Sequence, residues 1–441
     1  MSDYLAFSDD NIYAHRLSPV PAPVLLCNAG YYGTLAAVRS LGRAGVPVAT
    51  ADPAILALGR YSRFVDQHLR CPPFEKTSKW AEWLVRLGRT GPRRVLLPTS
   101  DAVSFALARH CDELRPYFHL YQPDLDTIMC LLDKGRLLQH AHNAGFQTPE
   151  TWLPESAEEA ARIARNAGEA ILIKPRSQLA LRTYSKGVVI EAGAGDVRTE
   201  YDRMMRQGPH DLNFAREYPE SMLPMLQRYH PESTEMVYSI SGFRDVSGKF
   251  VVMRAARKIL QRPRRLGVGL CFEEADLRND LAECAMRLFE SIGYFGVFEI
   301  EFIVSGGRAL LIDFNGRLYN QVAFDIARGV DLPAIAYAAA IGNQPEMARL
   351  VSTSATRIER GGLVFCDQLG LAITMITKRA LGKLSFNETN HWRRWRETHS
   401  GQVVDAVNDS ADPLPAFINA AQQFLKAVRH PRAFIWQAGL E

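Results

Sequence analysis

The sequence predicts a mixed fold, α/β at its start and α+β after it, and three observations predict this. Residues 23–52 read as strand, glycine loop, helix and strand, a βαβ opening. Farther on, Phe298, Ile300, Phe302 and Val304 alternate with Glu299, Glu301 and Ile303, the period-two pattern of a strand with two unlike faces. Ser305-Gly306-Gly307 then signals a turn, and a second alternating run to Arg317 closes the strand into a hairpin.

A chain of 441 residues has ample core for about two to four domains. Hydrophobic content of 47% and charged content of 23% are ordinary for a globular protein, so function has to come from local pattern. A net charge of +4 is too small to argue for nucleic acid or an anionic membrane. The seven cysteines are scattered without a Cys-x-x-Cys pair, which suggests neither a zinc site nor a disulfide framework and fits a reducing, cytoplasmic compartment. The opening "MSDYLAFSDDNIYAHR" has no apolar centre, so no secretory leader is expected there. No apolar run approaches the ~20 residues of a membrane helix.

Along the chain, "VLLCNAG" reads as a strand, "GYYGT" as a loop and "LAAVRSLGRAG" as a helix. Gly30 and Gly33 only loosely match a dinucleotide fingerprint, whose third glycine is absent. "RRVLLPTSD" is another strand with Thr99, Ser100 and Asp101 at its carboxyl end, where ligands gather in open α/β sheets. Asp101 is read first as the cap of the following helix. A buried strand at 170–173 ends in Lys174, and residues 177–187 form a polar loop. A lysine at a strand tip beside a flexible Ser/Gly loop suits phosphate, the lysine as point charge and the loop through its N–H groups. "GKFVVMRAARKILQRPRRLGVG" is a strand running into a basic cluster of Arg254, Arg257, Lys258, Arg262, Arg264 and Arg265. Too few aromatics flank it for a nucleic-acid platform.

The hairpin carries the chemistry. A turn centred on Gly307 places Glu301 opposite Asp313, and Asp313, Asn315 and Arg317 share a face. Two like charges at that distance repel by about 4 kcal/mol near a protein surface, so something positive belongs between them. Clustered hard oxygens suit Mg²⁺, which bridges one or two carboxylates to phosphates. The alternative reading is a hairpin with one solvated polar face.

Taken together, "LLDKGRLLQHAHNAGFQTP", "LIKP", "SKGV", "QRYHPESTE" and "EFIVSGGRALLIDFNGR" resemble the ATP-grasp superfamily of ligases. The resemblance covers 127–342, with a first lobe to about 226 and a second after it. Residues 1–126 resemble the preATP-grasp, Rossmann-like domain, and 343–441 form an extension packed on the core. It implies that Lys134 and Lys174 hold ATP phosphates and that Ser185 and Gly187 belong to the mobile glycine loop. It also implies that Gln227, Arg228 and Tyr229 form the adenine hinge, with Glu235 on the ribose. Glu301, Asp313 and Asn315 would bind Mg²⁺ (or Mn²⁺), with Glu299 a ligand or a neighbour of one. Arg317, with Lys258 or Arg257, would cover the charge that develops in phosphoryl transfer. Asp313 stands where glutamate is usual, and Arg228 where an acidic residue is usual.

The implied activity joins a small carboxylate to a small amine through an acylphosphate. A carboxylase or carbamoyl-phosphate-forming enzyme, a small-molecule phosphotransferase and a non-catalytic nucleotide-binding regulator are the alternatives. A homodimer is compatible with such folds. In the tail, "NHWRRWRETHS" reads as a helix whose arginines snorkel over apolar surface, in preference to a membrane contact. "DPLPAFINAAQQFLKAVRHP" reads as a closing amphipathic helix with Asp412 near its start.

Overall fold

The computed structural model describes residues 21–180, 186–192, 196–356 and 361–439, with side chains to residue 435. Ser185 and the centre of the 177–187 loop lie outside the described residues.

Strands Val24–Cys27, Val48–Ala51, Gln67–Leu69, Arg94–Leu96 and Phe118–Leu120 form a wholly parallel sheet in the order third, second, first, fourth, fifth. A parallel sheet is covered on both faces, which is why "VLLC" is a continuous apolar run. Val24 and Leu26 pack with Ile335 and Ala336 of helix Leu332–Ala340, while Leu25 and Cys27 pack with Trp80 and Leu84. The strand order reverses between Val24–Cys27 and Arg94–Leu96, which opens a crevice at their carboxyl ends. Gly33 serves packing here: a Cβ on it would stand 2.3 Å from the carbonyl oxygen of Tyr319. The glycine therefore admits a later segment of the chain against helix Tyr32–Arg43.

A four-stranded antiparallel sheet follows, in the order Thr151–Trp152, Pro224–Arg228, Ile171–Pro175, Val188–Ile190. Helices Ala157–Ala167 and Val197–Met205 cover it through Ala160, Val197 and Tyr201. The third sheet has seven strands, ordered Arg308–Asn315, Gly296–Ser305, Val237–Arg244, Val251–Arg262, Val268–Ala275, Val364–Cys366, Val403–Asp405. Helix Asn279–Ile292 packs Leu288 and Phe289 under Phe298, Ile300 and Phe302. No helix among the described residues is long and apolar enough to cross a membrane.

Two of the expected divisions fall inside elements, and the third, 342/343, lies between helices Leu332–Ala340 and Gln344–Thr356. Helix Leu125–Leu132 runs across 126/127, and strand Pro224–Arg228 keeps the first lobe's sheet going past 226. Two strands of the tail extend the seven-stranded sheet, so 343–441 is woven into the core. Trp392 and Trp395 are buried against Leu371 and Cys366 while Arg393, Arg394 and Arg396 are exposed, the snorkelling arrangement.

Glu301 does pair with Asp313, by a different route from the one expected. Ser305 pairs with Arg308, so the turn is Gly306-Gly307, whose φ values of +54° and +78° suit a two-residue hairpin turn. On that centre Glu301 would face Ile312. Phe302 pairs with Leu311, however, and Ile312 is the extra residue of a bulge. The bulge turns Asp313 onto the face that carries Glu299 and Glu301.

Asp412 precedes helix Leu414–Arg429 without capping it. It is 1% exposed and accepts hydrogen bonds from Arg39 Nε at 2.9 Å, Ser62 Oγ at 2.7 Å and the Arg63 N–H at 2.8 Å. This buried pair ties the tail to the first domain. Asp412→Ala removes the contact carboxylate of Arg39, leaving Asp409 at 3.9 Å and the backbone carbonyl of residue 412, and is expected to cost on the order of 2–3 kcal/mol, read by urea denaturation.

Candidate active site

The floor of the site is the face of the seven-stranded sheet that carries Glu299 and Glu301, which are 2% and 8% exposed. On the next strands their neighbours are Ser241, Ser239 and Ala256. These small side chains keep the floor low enough for Lys258, two strands away, to reach Glu301 Oε1 at 2.8 Å. Arg257 does not join it. Successive strand residues point to opposite faces, and Arg257 is half exposed on the other side, paired with Glu273 at 2.6 Å. Of the two basic residues expected here, Lys258 belongs to the site and Arg257 is corrected out of it.

The facing wall comes from the first lobe. Lys134 opens helix Lys134–Asn143, and its Nζ lies 2.5 Å from Asp313 Oδ1. Asp133 holds that helix end by accepting from the N–H groups of Gly135 and Arg136. Lys174 is buried and donates to Gln227 Oε1 at 2.9 Å, while Gln227 Nε2 donates to Thr151 Oγ1 at 2.9 Å. Gly187 lies against this strand, where a Cβ would be 2.8 Å from the carbonyl oxygen of Ile173.

The expected hinge is arranged differently. The N–H groups of Arg228 and Tyr229 donate to the carbonyls of Glu150 and Ala170, because Pro224–Arg228 lies between two other strands and closes hydrogen bonds on both sides. Arg228 forms ion pairs with Glu150 and Glu169, and Glu235 pairs with Arg264 at the surface. Contacts to a base through those two N–H groups are therefore not available in this arrangement. Gln227 instead orients Lys174 through its side chain.

Arg317 connects the floor to the first domain. The Leu318 N–H donates to the carbonyl of Pro98 at 3.0 Å, which docks this segment at the end of strand Arg94–Leu96. Arg317 Nε then donates to Asp101 Oδ1 at 2.6 Å and Nη2 to Asn315 Oδ1 at 2.9 Å. The helix after Asp101 is capped by Ser100, whose hydroxyl accepts from the Val103 N–H, so the capping role expected of Asp101 is corrected. Asn315 Nδ2 donates to Glu299 Oε2 at 3.0 Å, and Gln321 also donates to Glu299. Asn315 thus links Arg317 to Glu299, and its Oδ1 keeps a second lone pair beside the acid pair. Glu299 is buried and hydrogen-bonded, not solvent-facing.

Electrostatics divides the carboxylates. Burial alone would raise Asp313, but Lys134, with Lys186 and Lys174 beyond it, holds it well below the usual carboxylate range. Glu301 is likewise lowered, burial being outweighed by Lys258 and Lys186. Glu299 goes the other way: burial raises it, the charge of Glu301 adds to this, and Lys258 and Arg317 offset only part. Burial also brings Lys174 down to about 7, and the charge on Lys134 helps. Lys186, exposed at the rim of the site, is lowered by partial desolvation there, with Glu301 acting against it.

Lys186, Asp101 and Gln321 are site residues that the sequence reading did not assign. Asp101 carried a signal, its place at the carboxyl end of a parallel strand. Lys186 lies within the quoted "SKGV", whereas nothing local marks Gln321.

Among the described residues no group of three or more His, Cys, Asp or Glu side chains is placed to hold a metal alone. Two adjacent carboxylates do fit Mg²⁺, which takes one or two from the protein and the rest of its oxygens from phosphate and water. The Glu301 and Asp313 oxygens meet that requirement, and lysine ammonium groups compensate them here.

Lys258→Met leaves Glu301 as a buried charge without its contact partner. It is expected to destabilise by about 3–5 kcal/mol at pH 7, and adding Glu301→Gln is expected to recover most of this in a denaturant double-mutant cycle.

No protein-family model and no curated protein sequence matches the chain. Solved structures do. The biotin carboxylase domain of Hydrogenobacter thermophilus 2-oxoglutarate carboxylase, solved as a dimer with MgADP, ADP and bicarbonate, superposes with a TM-score of 0.57 at 16% identity, over 72% of this chain and 69% of that one. Biotin carboxylase from Campylobacter jejuni gives 0.56 at 16% identity, over 72% and 71%. N5-carboxyaminoimidazole synthetase from Staphylococcus aureus gives 0.54 at 13% identity, over 74% and 79%. With a parallel α/β domain leading into two antiparallel lobes that face each other across Glu301, Asp313, Lys134 and Lys174, the chain has the ATP-grasp fold.

Proposed function

We propose that the protein uses ATP to activate a small carboxylic acid as an acylphosphate and passes the acyl group to an amine, releasing ADP and phosphate. The observation that carries this reading is the convergence of Lys134, Lys174, Lys186 and Lys258 on the Glu301–Asp313 pair, with Arg317 beside Glu299. A carboxylate must approach a polyanion in this reaction, and only closely placed cations make that approach favourable.

Lys134 and Lys174 hold the α- and β-phosphates. Mg²⁺ on Glu301 and Asp313 would supply charge neutralisation at the β- and γ-oxygens, and Mn²⁺ suits the same donors. A substrate carboxylate oxygen forms the new bond to the γ-phosphorus as the bond to the ADP oxygen breaks. Lys258 and Arg317 cover the charge on the transferring group, and Asp101 and Asn315 fix the Arg317 fork. The amine nitrogen then attacks the acyl carbon, phosphate leaves, and the amine gives up a proton. Lys186 and Gly187, at the end of the 177–187 loop, cover the phosphates and keep water from the acylphosphate.

A second reading shares this site: bicarbonate is the acid, and the enzyme is a carboxylase. The H. thermophilus neighbour, solved with MgADP and bicarbonate, favours it. Phosphate release screened over paired acids and amines, with a bicarbonate arm, separates the two. A stable phosphorylated product formed without any amine would instead identify a phosphotransferase. Asp313→Asn is expected to raise the Mg²⁺ concentration needed for half-maximal turnover by about tenfold or more, and full activity at limiting Mg²⁺ would overturn the metal assignment.

Lys174 also makes nucleotide binding pH-dependent. Its ammonium is favoured by bound phosphate, so binding raises its pKa from about 7. Affinity for MgADP should be full below pH 7 and fall above it, by up to about tenfold per pH unit. Calorimetry at pH 8 in buffers of different ionisation enthalpy should show proton uptake that Lys174→Met abolishes. If MgADP bound Lys174→Met as tightly as the unmodified chain, the nucleotide assignment would fail.

A further inference from the structure

Beside the acid pair lies a second cavity, of about 420 Å³, of which the roles above use only Lys186 and Gly187 at its edge. Three segments far apart in sequence build it: the turn at Gly30, Tyr31 and Tyr32, the connection that follows Arg262, and the closing helix Leu414–Arg429. Lys186 lines it, and the charge of Lys186 is felt at Glu301 and Asp313, so the cavity borders the reacting groups. Tyr31, also in its wall, lies in the field of Arg317 and Asp101.

Among the described residues, two basic side chains of the cavity have no hydrogen-bond or ion-pair partner: Arg262, half-buried in its wall, and Lys426, exposed at its edge. Arg262 Nη1 is buried and has no hydrogen-bond partner. No hydrogen bond or ion pair joins the side chain of Arg262 or of Lys426 to a described residue. Their mutual repulsion registers at Lys426, which is exposed on its helix yet shielded in part by its neighbours: its pKa is lowered by that partial desolvation and then by Arg262. Asp367 is the carboxylate in the wall; its oxygens accept from the Gly370 N–H, as a helix cap, and from the Tyr32 hydroxyl, and it feels the charge of Arg262 without contacting it, so it offsets that charge only in part. A buried donor without a partner and two adjacent cations are an arrangement that an anion satisfies.

We propose that this cavity binds one of the two joined substrates, and that Arg262 and Lys426 clamp an anionic group, carboxylate or phosphate, at the end remote from its reacting atom. The assignment of the cavity to a ligase substrate rests on the function proposed above, whereas the clamp itself does not. Lys426 gives the tail a part in selecting substrate. A guanidinium fork matches either anion, and its buried Nη1 supplies the donor that an uncharged analogue would leave unsatisfied.

The test is calorimetric titration of the full chain with inorganic phosphate and with succinate, with and without saturating MgADP, repeated on Arg262→Gln and Lys426→Gln. At least one anion is expected to bind about tenfold more weakly to each variant, the loss of one charge-assisted contact, while the MgADP affinity stays within about twofold. A loss confined to phosphate identifies a phosphorylated substrate, and one confined to succinate identifies a dicarboxylate. Lys426 is on a surface helix, so its variant reads the clamp even if Arg262→Gln fails to fold. Anion binding that ignores both substitutions overturns the proposal, and so does a parallel loss of MgADP affinity, which would give the cavity to the nucleotide. If the unmodified chain bound no MgADP, the ligase reading would fall, yet the nucleotide-free titrations would still decide the clamp.

Discussion

Two carboxylates facing each other across a hairpin repel, and the rest of the site is organised by that repulsion. Glu301 and Asp313 occupy directly opposed positions on neighbouring strands, where like charges destabilise a sheet. Each is compensated from a different body. Lys258 reaches Glu301 within the same sheet, and Lys134 reaches Asp313 from a helix belonging to the first lobe. The second contact makes the acid pair part of what holds the two lobes face to face. The function proposed above needs that relation, because a nucleotide between the lobes would touch lysines of one and carboxylates of the other.

Compensation is not uniform across the cluster. Lys134 and Lys258 have carboxylate partners in contact, whereas among the described residues the Lys174 ammonium meets only the amide of Gln227, and burial brings its pKa to about 7. Glu299 is pushed toward its neutral form and is braced by Asn315 and Gln321. A binding site commonly keeps such groups at a cost in stability, because they are matched to a ligand rather than to each other.

The parallel domain contributes position as well as fold. Its strand order reverses beside Val24–Cys27, and the turns beyond that strand and beyond Arg94–Leu96 deliver Tyr31 and Asp101 to the neighbourhood of Arg317. The absence of a side chain at Gly33 permits the close approach of Tyr319 that this docking requires. The tail is held to the same domain by the buried Arg39–Asp412 pair, which fixes the closing helix where Lys426 meets the second cavity.

The sequence by itself determined the βαβ opening, the hairpin and the strand ending in Lys174, because each rests on a local period or turn signal. The Glu301–Asp313 pairing was legible too, although the reading centred the turn half a residue late and did not see the bulge that compensates. A bulge has no reliable local signature, since either register satisfies the apolar pattern up to Leu311. Only the tertiary structure decided between Lys258 and Arg257, because the face turned toward the acids depends on which strands become neighbours. It likewise moved Asp101 from a helix cap to an Arg317 partner, brought Lys186 and Gln321 to the site, and joined the tail to the seven-stranded sheet. Contacts between residues tens to hundreds of positions apart are set by how sheets pack and how charges must be paired in space, and neither leaves a period in the chain.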